Sequence, residues 1–346
     1  MRNYINRKIL GLFVKTNGVI SKPLFSGIGH ILCFHRVLPP SDAMRIEANS
    51  GMEISPEKLE WIIRYFLEKD YEVISMDQLL DFYEGRRKQK RKFIVITFDD
   101  GYSDIYHVAY PLLKKLGVPF TVYVSPGFQD NKALMWWYYL ENHILSNEKI
   151  EWMQGANRLN FKAESREEKN KLFIQLRQQM IAAEYTELLT LLKDVMNVSA
   201  EEAFAFSSKN SMSWSQISEI ATDPLVCLGA HSLSHRPLNN LEDREVIFEM
   251  KESGKVIEQH TGKPVIHFAY PYGSENEAGE REFRLLETAG YKTGVTLRQG
   301  SCFTIHACFL IRLPRIPLGE KTDALLLDNI RLGIRQFSFN GFKKII

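Results

Sequence analysis

Residues 93–102 read Phe-Ile-Val-Ile-Thr-Phe-Asp-Asp-Gly-Tyr and begin with a continuous apolar run. A continuous apolar run of this kind is typical of a strand buried in a parallel sheet. The run ends at Asp99 and Asp100, and Gly101 allows the chain a sharp exit. Because α/β sheets and barrels place their chemistry at the carboxyl ends of strands, one carboxylate can bind a metal while its neighbour handles a proton. For this stretch alone, a strand followed by an ordinary Asp-Gly turn is the alternative.

A second motif covers residues 226–235, which read Val-Cys-Leu-Gly-Ala-His-Ser-Leu-Ser-His. Another apolar strand thus ends just before His231 and His235. Histidines four apart on one helical turn lie on the same face and can hold one ion. Two imidazoles and one carboxylate form a three-ligand site with room for water, which suits zinc and also permits cobalt, nickel or iron. Without the aspartates, a hydrogen-bonded surface turn is the simpler interpretation of the two histidines.

A third segment, residues 265–273, reads Val-Ile-His-Phe-Ala-Tyr-Pro-Tyr-Gly. Together the three segments resemble the NodB-homology polysaccharide deacetylases, and shorter phrases at 33–37, 110–113 and 290–292 are similar to that family as well. The resemblance extends over residues 28–318. It implies a distorted (β/α) barrel with seven or eight parallel strands.

Strand and helix patterns alternate along the chain, which independently predicts an α/β fold with a parallel sheet. Strands are predicted at 31–34, 72–74, 93–98, 120–124, 226–229, 265–268, 293–296 and 309–313, and helices at 56–67, 105–116, 241–260 and 277–289. Residues 130–212 are rich in good helix formers and predict a helical insertion. The predicted organisation is a basic amino-terminal segment (1–27), a barrel (28–129 and 213–318), the insertion (130–212) and a basic carboxyl-terminal helix or tail (319–346).

Several aromatic residues are candidates for binding a sugar. Trp136 and Trp137 open the insertion, and Tyr270 lies in the third motif. Aromatic faces suit the apolar C–H faces of sugar rings. Aromatic residues also dominate protein cores, so the alternative for the two tryptophans is that they anchor the insertion to the barrel.

The family resemblance implies roles for the motif residues. Asp100, His231 and His235 would be the metal ligands, Asp99 would be the general base, and the backbone N–H of Tyr272 would stabilise the oxyanion. This division is chemically sensible, because a base must not be locked to the metal.

Two family features are missing from this sequence. In the family, the third motif usually carries an arginine that pairs with the catalytic aspartate, but this chain has Ala269 at that position. Arg36, Arg312 or Arg315 could supply the missing positive charge. Arg315 is preferred because it closes a late strand. The family's histidine in a Leu-x-x-His-type strand is also absent. His35, which ends the first strand, is the leading candidate for the general acid, ahead of His306, and a structural histidine is the alternative.

Charge is unevenly distributed along the chain. Its 346 residues carry a formal net charge of +2, which gives no support to nucleic-acid binding. Residues 1–28 and the segment after Asp328 together carry nine basic residues and no acid, so the rest carries a net −7. The basic ends predict loose binding to an anionic membrane surface. Packing on the barrel, or solvated tails, is the alternative.

Cysteine usage and the lack of a signal-like or membrane-spanning run favour a cytoplasmic protein, peripheral at the inner membrane face. Cys33 and Cys227 lie in apolar strands and are expected to be buried thiols, whereas Cys302 and Cys308 could pair.

The function expected from these features is metal-dependent removal of an N-acetyl group from an amino sugar of a bacterial surface polysaccharide or its precursor. A cytoplasmic location favours a lipid- or nucleotide-linked saccharide as the partner. One alternative is a non-catalytic carbohydrate-binding protein on the same fold, which the missing arginine and histidine would support. The other is a hydrolase of O-acetyl esters or cyclic amides.

Overall fold

The computed structural model describes residues 21–41, 43–154, 157–341 and 343–346. A curled parallel sheet forms its centre. The strands are β1 (Gly29–Phe34), β2 (Arg36–Val37), β3 (Glu53–Ile54), β4 (Glu72–Val73), β5 (Phe93–Phe98), β6 (Phe120–Val124), β7 (Lys149–Gln154), β8 (Asn157–Lys162), β9 (Val226–Ala230), β10 (His267–Ala269), β11 (Thr293–Val295) and β12 (Ile316–Pro317).

Helices surround this sheet. The α-helices are α1 (Ser21–Phe25), α2 (Glu47–Ser50), α3 (Pro56–Glu68), α4 (Met76–Tyr83), α5 (Tyr110–Leu116), α6 (Pro126–Gln129), α7 (Trp136–Ser146), α8 (Arg166–Ala182), α9 (Tyr185–Thr190), α10 (Ala200–Asn210), α11 (Trp214–Ile220), α12 (Asp243–Thr261), α13 (Glu280–Ala289), α14 (Ala324–Arg331) and α15 (Ile334–Asn340). Two π-helical turns (Ile105–Ala109 and Leu191–Val195) and three 3₁₀ turns (Leu238–Asn240, Thr304–Cys308 and Leu310–Arg312) complete the set among the described residues.

The main sheet has the strand order β11-β10-β9-β6-β5-β1-β12, with β4 paired to the start of β5. All of these pairings are parallel. Leu313, just before β12, forms a parallel bridge with Val295 of β11, which brings the two edges of the sheet together. The predicted α/β barrel of parallel strands is thus confirmed.

Side-chain alternation divides the strands between two apolar clusters. One set faces the interior of the curled sheet and includes Ile31, Val95, Tyr123, Ala269 and Val295, which pack with residues of α4. The other set packs beneath the surrounding helices. Successive strand residues point to opposite faces, so the interior set also determines which side chains emerge at the carboxyl ends.

The prediction of a strand at residues 309–313 is wrong. Residues Leu310–Arg312 form a 3₁₀ turn instead, and the strand that pairs with β1 is Ile316–Pro317. Pro314 and Pro317 carry no N–H group for a sheet ladder, which limits this edge strand to two residues. The turn also packs closely on β11, where a Cβ atom at Gly294 would lie 2.5 Å from the Ile311 carbonyl oxygen.

The segment 130–212 contains an antiparallel hairpin, β7 and β8, in addition to the predicted helices. Its cross-strand partners include Ile150 with Phe161 and Trp152 with Leu159. This alternation of apolar and polar residues is the sequence signal for a strand. The composition of the whole segment, which is rich in helix formers, predicted helices instead. The domain limits given above stay predictions.

The described parts of both chain ends lie at the amino-terminal end of the barrel strands. Phe25 of α1 and Phe337 of α15 have ring centroids 5.2 Å apart. Ile28 N donates to Cys302 O at 2.7 Å, and Ser301 N donates to Gln336 Oε1 at 2.8 Å. Among the described residues, no helix combines the length and the apolar character needed to cross a bilayer. Most of the basic amino-terminal segment, residues 1–20, lies outside the described residues, so membrane binding stays a prediction.

Glu141 of α7 connects the segment 130–212 to the barrel. Its buried carboxylate accepts hydrogen bonds from Arg45 Nε (2.8 Å) and Nη2 (2.9 Å), from Ile46 N (2.7 Å) and from Asn49 Nδ2. Arg45 also binds Glu53 of β3 at 2.7 Å. The Glu141 carboxylate therefore links α7 to residues 45–49, and Arg45 extends the link to β3.

Replacing Glu141 with alanine is expected to lower the free energy of unfolding by about 3 kcal/mol or more, because several buried N–H donors would lose their hydrogen-bond acceptor. Urea unfolding measures this loss. The matched control is Glu151→Ala, which breaks an exposed pair with Arg158 (3.0 Å) and is expected to cost less than about 1 kcal/mol. Equal losses in the two variants would contradict a connecting role for Glu141.

Candidate active site

The two aspartates of the first motif lie at the carboxyl end of β5. Asp99 continues the interior face of that strand, and its N–H donates to Phe34 O at 3.0 Å. Asp100 has a φ of 69° and Gly101 a φ of 68°, so the chain turns sharply at this point. A left-handed conformation is strained for a residue other than glycine, and such strain is typical of functional sites. The turn allows two successive carboxylates to face the same imidazole, with Asp99 Oδ2 and Asp100 Oδ1 lying 3.9 and 3.5 Å from His231 Nε2.

Asp100, His231 and His235 form a buried trio whose candidate ligand atoms all lie within 4.8 Å of one another. Asp100 Oδ1 is 3.2 Å from His235 Nε2 and 3.5 Å from His231 Nε2. Asp100 Oδ1 nonetheless forms no hydrogen bond with any described residue. A buried carboxylate oxygen without a hydrogen-bond partner, beside two imidazole nitrogens, is an arrangement that fits a divalent metal ion.

Protonation and orientation in this trio also suit a metal. His231 Nδ1 lies 2.8 Å from Ala269 O, so its N–H can donate to that carbonyl and leave the Nε2 lone pair facing Asp100. Burial lowers the pKa of His231 to about 4, against smaller opposing effects of Asp99 and Asp100. The pKa of Asp100 is held below its usual value: burial alone would raise it, but the neighbouring His235 imidazole outweighs that effect.

The two histidines do not occupy the helical turn that the sequence analysis expected. Residues 231–237 form an irregular loop, with φ values of 59° at Ser232 and 56° at His235. Ser232 Oγ accepts from His235 N at 3.0 Å, and Glu249 of α12 binds both the N–H and the hydroxyl of Ser234 (2.8 and 2.6 Å). The loop therefore brings both Nε2 atoms toward Asp100 by tight local turns rather than by helical periodicity.

Glu249 is a residue of this site that sequence reasoning missed. It is only 6% exposed and lies on the face of α12 that also buries Val246, Met250 and Ser253. An acidic residue at a buried position of an amphipathic helix was the available signal, because such a group must have a partner.

Arg315 forms a two-bond ion pair with Asp99. The Nη1–Oδ1 and Nη2–Oδ2 distances are 2.6 and 2.7 Å, and Arg315 Nε also donates to Thr296 O at 3.1 Å. Burial alone would raise the pKa of Asp99, but the charges of Arg315 and His231 and the arginine's hydrogen bonds hold it well below its usual range. The carboxylate therefore stays ionised, and it is oriented by the guanidinium.

The other arginines considered at that position point elsewhere. Arg36 pairs with Asp104 at 2.8 Å, and Arg312 pairs with Glu280. Of the three, the structure brings Arg315 onto Asp99. This placement agrees with the preference for the arginine that closes a late strand.

His35 directly follows β1 and lies next to Asp99. Its Nε2 atom is 4.0 Å from Asp99 Oδ2, and 18% of its side chain is exposed. His306 instead lies buried in a 3₁₀ turn, where its Nδ1 accepts from Phe303 N at 2.9 Å. Of the two candidate acids, the structure brings only His35 to the aspartates. Cys33 Sγ also lies 3.6 Å from Asp99 Oδ2.

Tyr272 has a φ of 60°, and its ring lies 4.9 Å from that of His235. Within the described part of the chain, the Tyr272 N–H has no hydrogen-bond acceptor. The following Gly273 has a φ of 55°, and a Cβ atom there would lie 2.9 Å from Leu297 N. The turn thus requires glycine, and it leaves a free backbone donor next to a candidate metal ligand.

The aromatic candidates for sugar binding are mostly buried. Tyr270 is fully buried, packs on Phe268 and Phe283, and donates its hydroxyl to Ile311 O at 2.9 Å. Its ring therefore offers no accessible face to a sugar. Trp136 and Trp137 are each 4% exposed, and the Trp137 ring lies 5.5 Å from that of His235. Their packing favours the anchoring alternative.

Comparisons with known proteins agree with this architecture. The family model described as "Polysaccharide deacetylase" matches residues 86–170 and 178–293, more than half of the chain. A curated relative, "Putative polysaccharide deacetylase YxkH" of Bacillus subtilis (strain 168), is 19% identical over 279 residues, which are 81% of this chain and 71% of that protein.

Two solved structures show a similar fold. The Streptococcus pyogenes deacetylase PplD, in complex with acetate, has a TM-score of 0.56 at 17% identity, covering 86% of this chain and 95% of that one. The de-N-acetylase from Aggregatibacter actinomycetemcomitans has a TM-score of 0.57 at 16% identity, covering 87% and 99%. The chain therefore belongs to the polysaccharide deacetylase family and is a deacetylase of the hydrolase class.

Proposed function

We propose that this deacetylase removes the N-acetyl group from an amino sugar of a bacterial surface polysaccharide or its precursor, with a divalent metal as cofactor. The observation that carries the proposal is that two adjacent carboxylates have different bonding environments. Asp99 is fully engaged by Arg315, whereas Asp100 Oδ1 faces two imidazoles without a hydrogen-bond partner. One carboxylate is thus prepared for proton transfer and the other for metal binding.

Asp100, His231 and His235 would hold the ion, with zinc the best match to a trio of two nitrogens and one oxygen. A metal bound there would supply Lewis-acid chemistry, lowering the pKa of the attacking water and polarising the substrate carbonyl. Asp99 accepts the proton from the attacking water, since its ion pair with Arg315 keeps it ionised and oriented. The free N–H of Tyr272 donates to the developing oxyanion, and His35 protonates the departing amine.

The solved relatives support this choice by their names: one is a de-N-acetylase and another was solved with acetate. A metal-supplemented acetate-release screen tests the proposal. Matched saccharides carrying either N-acetyl or O-acetyl groups should be compared. Release from amides supports the N-deacetylase, whereas release from esters alone would assign an O-acetyl esterase.

Replacing His231 with alanine is expected to remove most of the metal held by this trio, about one ion per chain, because only two of its ligands remain. Elemental analysis of the wild-type protein and the variant, expressed as ions per chain, checks this result. The control is His107→Ala, since His107 is exposed and lies outside the trio. Undiminished metal content in His231→Ala would rule out the assignment.

Asp99→Asn is expected to retain the metal while the rate of acetate release falls by about 10²-fold or more, the scale of general base catalysis. Metal content and initial rates are measured on the same preparation. Loss of the metal in this variant would mean that the two aspartates exchange roles.

Arg315→Gln is expected to shift the acidic limb of the rate profile to higher pH. Removing the guanidinium leaves burial to dominate, which raises the pKa of Asp99, so the base becomes protonated at a higher pH. The apparent pKa of that limb should increase by about one unit or more. Arg315→Lys keeps a positive charge and should shift the limb less, and an unchanged limb in both variants would contradict the proposed coupling.

His35→Ala is expected to slow amide hydrolysis more than hydrolysis of esters with good leaving groups, which need less protonation. Parallel kinetics on an N-acetyl sugar and an activated acetate ester measure the difference. A similar loss on both substrates would assign His35 a structural role.

A further inference from the structure

The amino-terminal end of the barrel, opposite the candidate active site, holds a second group of metal-binding residue types. Asp77 of α4, Cys227 of β9 and His267 of β10 each offer one ligand atom within 4.8 Å of the other two. Cys227 and His267 are 7% and 1% exposed. The Asp77 side chain is 59% exposed, which leaves a path from solvent to the group.

Hydrogen bonding fixes the imidazole of His267. Its Nδ1 lies 2.7 Å from Thr293 Oγ1, and its Nε2 lies 2.9 Å from Asp77 Oδ1. If Nδ1–H donates to Thr293 and Nε2 carries no proton, two acceptors face each other, and a cation is needed between them. If Thr293 donates instead, a proton on Nε2 explains the contact without a metal. The experiment below separates these two cases.

Thr121 of β6 supplies an independent observation. It lies directly across the sheet from Cys227 in the parallel register, so both side chains point to the same face. Thr121 is fully buried, and its Oγ1 has no oxygen or nitrogen partner among the described residues, although it interacts with the neighbouring Cys227 thiol. A buried hydroxyl without an oxygen or nitrogen partner is unusual, and here it is placed to hold a water molecule beside the thiol.

The charge of the group suits a thiophilic divalent ion. One carboxylate and one thiolate balance a 2+ charge, so the occupied site would be neutral, as burial requires. Burial raises the pKa of the Cys227 thiol, so metal binding must release its proton. Tetrahedral zinc, with ligands at about 2.0–2.1 Å, separates neighbouring N and O ligands by about 3.3 Å, which the exposed Asp77 carboxylate reaches by a small movement.

We propose that Asp77, Cys227 and His267 bind a second metal ion, with zinc the best fit, and that a water beside Thr121 completes its coordination. Such an ion fastens α4, whose residues close this end of the barrel, to β9 and β10. Its role is structural, because it lies at the opposite ends of the strands from the catalytic aspartates.

Cobalt(II) loading of the full-length protein tests this site, because a cobalt ion bound to thiolate gives a near-ultraviolet charge-transfer band. The trio of Asp100, His231 and His235 contains no thiolate and should be silent. The His231→Ala variant, loaded with Co²⁺, is expected to bind one ion per chain and to show the band. Cys227→Ser should abolish the band, and the matched control Cys33→Ser should retain it, although Cys33 is also a buried thiol.

Asp77→Asn provides a second variant that leaves the buried residues in place. Its affinity for Co²⁺ and Zn²⁺ at this site is expected to fall by about tenfold or more. Absence of the band from cobalt-loaded wild-type protein would overturn the proposal, as would its persistence in Cys227→Ser. If Cys227→Ser does not fold, the wild-type spectrum and the Asp77→Asn affinity decide the question, because an unchanged affinity also overturns it.

Discussion

Arg315 and Asp99 form a two-bond ion pair inside the barrel, where neither residue is more than 1% exposed. Removing one partner from such a pair typically costs about 3–5 kcal/mol, since the other charge is left buried alone. Arg315 lies between Leu313, which bridges to β11, and β12, which pairs with β1. The same contact therefore orients the proposed base and ties the segment that joins the sheet edges to the central strand β5.

The two-residue period of the strands explains why candidate metal-binding residues lie at both ends of this barrel. In β5 and its neighbours, the side chains that fill the interior are apolar at mid-strand. On the interior face of β9, Cys227 lies at one end and His231 lies just beyond the other. Gly229 lies between them, and a Cβ atom there would be 2.4 Å from the ring of Tyr123. One strand face thus supplies a residue to each candidate metal site.

Much of the fold was predictable from sequence, because long apolar runs such as 93–98 and 120–124 specify buried strands whatever their surroundings. The candidate site residues were proposed from their type and position at strand ends, with roles implied by the family resemblance, and Arg315 was preferred because it closes a late strand. The predictions failed where non-local contacts decide the conformation. The loop of His231 and His235 depends on Glu249 from a distant helix, and 309–313 turns because it packs on β11 and precedes prolines. Tyr270 matched a motif by sequence, but its ring faces the helical layer rather than the candidate active site.

Residues 125–225 interrupt the sheet between two neighbouring strands, and this position has a consequence for folding. They connect β6 to β9, which are direct neighbours paired along their whole length. Pairing these strands closes a loop of about a hundred residues, and the entropic cost of closure rises only with the logarithm of loop length, about 0.6 kcal/mol for each doubling. Lengthening or shortening this connection therefore changes the free energy of loop closure only slightly, whereas its two ends must always meet at adjacent strands. Long-range pairing of this kind slows folding, so structure that forms early within the loop accelerates barrel assembly by shortening the effective separation.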